Sequence, residues 1–172
     1  MFLYGATLFL SAFLLFLIQP MIGKWILPWF GGAPAVWTTC LLFFQILLLA
    51  GYGYAHALAR IFTPRKQSIV HVALLTASVL TILCFSVFPA RNWNAGTGGS
   101  PVLGILGLLF VGVGAPYFVL SSTSPLLQTW FSHAKPGISP YRLYAVSNLG
   151  SLLAIVAYPL VIEPSIRLSR QG

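Results

Sequence analysis

Long apolar runs alternate along this chain with short clusters of glycine, proline, tryptophan and basic residues. The runs are too long for strands and lack the polar face of a surface helix, so they predict membrane-crossing helices. Five are expected, over residues 2–18, 36–58, 69–88, 102–120 and 143–162. Residues 19–36 hold the breakers Pro20, Pro28, Gly31, Gly32 and Pro34 together with Trp25 and Trp29, and Trp37 follows at once, which predicts a connection lying at headgroup level. After the fourth run, Ser124 and Pro125 make a good N-cap and first turn, and Leu126, Leu127, Trp130 and Phe131 share one helical face. A short interfacial helix over 125–133 is expected there, with a continuation of the fourth span past a kink as the alternative. Residues 89–101 are polar and glycine-rich but lack the Lys and Ser/Thr of a phosphate-binding loop, so they read as a connector.

Composition turns this pattern into a class. With 58% hydrophobic residues, 6% charged residues and a mean hydropathy of +0.92, the folded chain is an integral membrane protein in contact with a lipid bilayer. No basic stretch or small-residue cleavage site accompanies the first run, which is therefore a retained span. The 172 residues accommodate these spans but no separate soluble domain. The formal charge of +8 comes from bases scattered singly between apolar runs, a distribution that suits headgroup contact and topology and excludes nucleic acid as a partner. Arg60, Arg65, Lys66, Lys135 and Arg142 fall on the side of the N-terminus; Lys24 and Arg91 fall on the other, joined by Arg167 and Arg170 in the tail. The bias favours a cytoplasmic N-terminus in a multi-pass protein. Cys40 and Cys84 lie in apolar runs and read as buried thiols.

Three runs carry a resemblance: FLIQPMIGKWILPWFGGAPAVWTTCLLFFQILLLAGYGYAH, PYFVLSSTSPLLQTWFS and PYRLYAVSNLGSLLAIVAYPLVIEP. Together they resemble the membrane portion of the bacterial fused MFS/spermidine synthase family, over nearly the whole chain. The resemblance implies an all-α polytopic bundle similar to part of one half of a major facilitator superfamily (MFS) transporter. It also implies further transmembrane helices and a soluble aminopropyltransferase-like domain or subunit as partners. The basic stretch ARIFTPRKQ, with Arg60, Arg65 and Lys66, resembles the cytoplasmic loop between the second and third helices of that superfamily, without the acidic residue usual in it. Nothing here has the alternating strand and helix pattern of a nucleotide-cofactor fold, so the expected role is a non-catalytic, transporter-like segment that anchors or serves a synthase-like partner. The chain is accordingly expected to be an N-terminal fragment or a small split subunit. A structural or assembly subunit with no substrate path is the alternative.

Within the spans, polar residues mark the candidate chemistry. Ser147, Asn148 and Ser151, with Gly150, form a small polar face on the fifth span; helix packing is the leading explanation and substrate lining the alternative. The break at Gly114 and Pro116, followed by Ser121 and Ser122, is a second candidate pocket, because interrupted helices expose backbone groups. Glu163, the single acid, ends the fifth span, either solvated or coupling transport to a proton or cation. Gln19 and Gln45 are expected to join helices. His56, His71 and His133 have no ligand spacing, and no nucleophile has a base and an orienting acid at a suitable spacing, so no metal, cofactor or catalytic residue is expected.

Overall fold

A computed structural model describes residues 1–84 and 100–165. The described residues form helices and connections, without a strand, and five of the helices are long and apolar enough to cross a membrane. These are α1 (Phe2–Phe30), α2 (Pro34–Ile61), α3 (Pro64–Cys84), α4 (Pro101–Ala134) and α5 (Tyr141–Ser165). The connector expected over 89–101 lies outside the described residues except for its last two positions. Residues 85–88 of the expected third span, Arg91, Arg167 and Arg170 also lie outside them.

Two expectations are corrected. The stretch 19–36 does not leave the helix after the first span: α1 runs through Pro20 and Pro28 to Phe30. In water those prolines would end a helix, but in hydrocarbon every freed backbone group is costly, so the helix with a single missing bond at each proline is the better solution. Only at Gly31, with φ of 78°, does the chain turn, and Pro34 then occupies the first turn of α2. For the same reason no separate interfacial helix forms over 125–133; α4 continues through Pro125 to Ala134. At 34 residues it extends about 50 Å, so it outreaches the hydrocarbon layer.

α4 and α5 each contain one wide helical turn, at Phe110–Gly114 and Tyr158–Ile162. The first directly precedes Pro116 and the second contains Pro159, so both stand where a missing N–H weakens the regular ladder. The turn in α5 has a consequence for registry. Gly150, Ala154 and Tyr158 are buried at every fourth position, and a regular helix would next bury 161 or 162. The Glu163 N–H instead bonds the Tyr158 carbonyl five residues back, which brings Glu163 round to that face.

α1 packs along α5, and α2 along α4. α1 also touches α4 between these pairs, while α3 leans mainly on the second half of α4. Two glycines set the close approaches. A Cβ on Gly150 would lie 2.6 Å from the Phe9 carbonyl oxygen, and a Cβ on Gly51 would meet the Ser121 side chain and lie 3.1 Å from the Ser122 backbone nitrogen. The main apolar core joins α1, α2 and α4 around Ile26, Phe44, Ile105 and Tyr117. Outward-facing leucines, isoleucines and valines such as Leu49, Val79, Leu103 and Leu152 leave an apolar exterior suited to lipid.

Candidate functional site

The described bases sort by end. Arg60, Arg65, Lys66, Lys135 and Arg142 are exposed at the termini of α2 to α5 that share an end with the start of α1. Contacts fix this arrangement: Leu8, Phe131 and Leu143 form one cluster, and Ala55, Leu58 and Leu126 another. At the opposite end Lys24 donates to Glu163 Oε1, with side-chain exposures of 34% and 40%. Glu163 thus pairs with Lys24 and ties α5 to α1.

Near the basic end, α2, α4 and α5 line an open cavity of about 450 Å³. α2 contributes Tyr52 and His56, α4 contributes Ser124, Gln128 and Thr129, and α5 contributes Tyr144, Ser147 and Asn148. Asn148 stands roughly 10 Å along α5 from Tyr141, within the membrane-crossing segment. Helical spacing explains the convergence: 52 and 56, 124 and 128, and 144 and 148 are each one turn apart on the facing side of their helix. Inward of Tyr52 and Ser124, Gly51 of α2 comes close to Ser121 and Ser122 of α4. Deeper still, Gln19 of α1 donates a 2.7 Å hydrogen bond to the Tyr117 hydroxyl, and the Phe44 ring packs on Tyr117 with centroids 4.8 Å apart.

The lining mixes hydroxyl, amide and imidazole groups with Ala55, Ala59 and Pro125 and holds no acidic side chain. Gln128 is only 9% exposed, yet its side-chain amide has no hydrogen-bond partner among the described residues; the exposed Asn148 amide has none either. Amides placed in a membrane without a protein partner need water or a solute. The one carboxylate of the chain is at the other end of α5, so the cavity offers hydrogen bonds and aromatic edges but no countercharge for a cation.

The candidate residues read from sequence therefore separate. Ser147 and Asn148 line the cavity. Ser151 gives its hydroxyl to the Ser147 carbonyl at 3.1 Å. Ser121 and Ser122 are buried and bond the carbonyls of Phe118 and Val119, so they form a helix contact at the inner end of the cavity. Gly114 is the last residue of the wide turn of α4, Pro116 follows it, and neither lines the cavity. Gln19 joins α1 to α4, whereas Gln45 is exposed on the outer face of α2 and joins no other helix among the described residues.

A second polar seam was not foreseen. Between α3 and α4, Trp130 Nε1 donates to Gln67 Oε1 at 2.7 Å, and Gln67 Nε2 donates to the Phe62 carbonyl at 2.7 Å. His71 is 3% exposed with Nε2 3.4 Å from Thr123 Oγ1, while its Nδ1 and the nearby Tyr54 hydroxyl are buried without a partner. A Gln and a His one turn apart near the start of an apolar run were the available signal. No group of three or more potential metal ligands occurs among the described residues. Comparison with known proteins found no matching family model, no matching curated protein and no matching solved structure.

Proposed function

We propose that this chain is a transporter-like membrane segment whose cavity between α2, α4 and α5 receives a small polar solute from the basic end of the bundle. The observation that carries the reading is the pair of unpartnered amides, Gln128 on the α4 wall and Asn148 on the α5 wall of the cavity, within the span. The helix pairing supports a transporter-like arrangement. Exchanging α1 with α4 and α2 with α5 converts the α1–α5 pair into the α4–α2 pair, as two inverted three-helix repeats would require. In this reading the bundle is part of an MFS-like half, and the basic end faces the cytoplasm of a bacterial inner membrane because the described bases gather there while Lys24 is neutralised at the other end.

The resemblance to the fused MFS/spermidine synthase family extends the proposal: the segment is non-catalytic and anchors or serves an aminopropyltransferase-like partner. Spermidine itself is a poor fit for the cavity, since a polycation in a membrane site needs carboxylates and none lines this one. The test is uptake by proteoliposomes of labelled spermidine, a zwitterionic amino acid and a neutral polyol. Accumulation of an uncharged or zwitterionic solute above protein-free vesicles, abolished by Asn148→Trp, is expected, with spermidine at background. Uptake that is absent for every solute, or unchanged by Asn148→Trp, contradicts the reading. A structural or assembly subunit is the second reading. It is favoured by the exposed face of α5 that carries Leu149, Leu152 and Val156, and capture of another protein by crosslinking from Leu149 would support it.

A further inference from the structure

The seam between α1 and α5 is tight at one level and open at another. At Gly150 the helices approach so closely that a Cβ would strike the Phe9 carbonyl. Toward the basic end the same seam opens into a groove of about 420 Å³ whose walls include Gly5, Ala6 and Phe9 of α1 and Arg142, Leu143 and Val146 of α5. Small residues make the room: a Cβ built on Gly5 meets nothing within 4 Å. Leu143 is buried on the floor, and Arg142, one position earlier, is exposed at the rim.

Arg142 has no hydrogen bond or ion pair among the described residues. The single acid of the chain, Glu163, lies at the far end of the same helix, roughly 30 Å away by helical rise, so it cannot supply the countercharge. The groove therefore joins an apolar trough, which repels water, to a cation at the level where α5 enters the membrane. An occupant that satisfies both parts has a hydrocarbon chain and a negative head. We propose that the α1–α5 groove is a binding site for an anionic phospholipid of the surrounding bilayer, with an acyl chain lying over Gly5, Ala6 and Val146 and the phosphate held by Arg142.

The charge pattern selects the lipid class. A zwitterionic phospholipid brings its own cation to the phosphate, whereas a phosphatidylglycerol leaves a net negative charge for the guanidinium, and a base near the membrane surface is worth about fivefold in affinity for such a head. The site is separate from the polar cavity, so it stands whether or not that cavity carries a solute.

Native mass spectrometry of the full chain in a non-denaturing detergent tests it, titrating phosphatidylglycerol and phosphatidylcholine with identical acyl chains. The unaltered chain is expected to retain phosphatidylglycerol about fivefold better. Arg142→Gln removes most of that preference, while Arg65→Gln, in the first turn of α3, keeps it. Gly5→Phe fills the trough and reduces retention of both lipids; should that variant misfold, Ala6→Leu serves the same purpose. Equal retention of the two lipids by the unaltered chain overturns the proposal, as does an Arg142→Gln effect no larger than that of Arg65→Gln. So does a dimer that Gly5→Phe dissociates, which would make the occupant a second copy of the chain.

Discussion

The α1–α5 and α2–α4 seams use the same device and reach different ends. Each is drawn together by one glycine, Gly150 against the Phe9 backbone and Gly51 against Ser121 and Ser122. Beyond its glycine the α1–α5 seam opens to an apolar groove, and beyond Gly51 the α2–α4 seam opens to a polar cavity. In a bilayer, close helix contact is a matter of small residues rather than of water-driven burial. What lies beside the contact is then free to differ, and here one opening suits lipid and the other suits water or a polar solute.

The largest effect should come from the backbone contact. Gly150→Ala places a methyl on the Phe9 carbonyl oxygen, which has no rotamer to retreat to, and should cost about 1–3 kcal/mol in detergent-denaturant unfolding. Gly51→Ala also collides with the Ser121 hydroxyl, but that group can be removed, so Ser121→Ala in the same chain should recover part of the loss. If no side-chain trimming helps Gly51→Ala, the two seams are limited by backbone alike and the contrast fails. A smaller effect is expected where α1 meets α4: Tyr117→Phe removes the acceptor of the Gln19 hydrogen bond and should cost about 0.6 kcal/mol, the typical value for a bond between membrane helices. Smallest is Glu163→Gln. The pair with Lys24 is partly exposed, so its loss should cost about 0–1 kcal/mol in the same assay and less still in high salt. A loss that persists unchanged in high salt would mean that Glu163 does more at the end of the α1–α5 seam than pair with Lys24.

The spans were legible because nothing but a bilayer tolerates such long apolar runs, and Ser147 and Asn148 stood out as polar residues inside one of them. The prolines misled for a physical reason. Pro20, Pro28 and Pro125 are breakers in water, yet in hydrocarbon a continuous helix leaves fewer backbone groups unpaired. The cavity neighbours of Asn148 were hidden because Tyr52, His56 and Gln128 belong to other helices, and which faces meet depends on rotations that single-helix periodicity does not encode. The Lys24–Glu163 pair was hidden more deeply. Its formation depends on the wide turn around Pro159, which shifts Glu163 onto the face that follows Gly150, Ala154 and Tyr158.

The central claim is that the α2–α4–α5 opening is polar and reached by water from the basic end. A membrane-impermeant thiosulfonate tests it on Asn148→Cys in a chain whose native cysteines, Cys40 and Cys84, are replaced by alanine, with Leu152→Cys one turn further along α5 as the lipid-facing comparison. Rapid modification of Asn148→Cys from the side of Arg60, Arg65 and Lys66, with Leu152→Cys unreactive from either side, is the predicted result. Protection of Asn148→Cys equal to that of Leu152→Cys, or modification only from the side of Lys24 and Glu163, would contradict it.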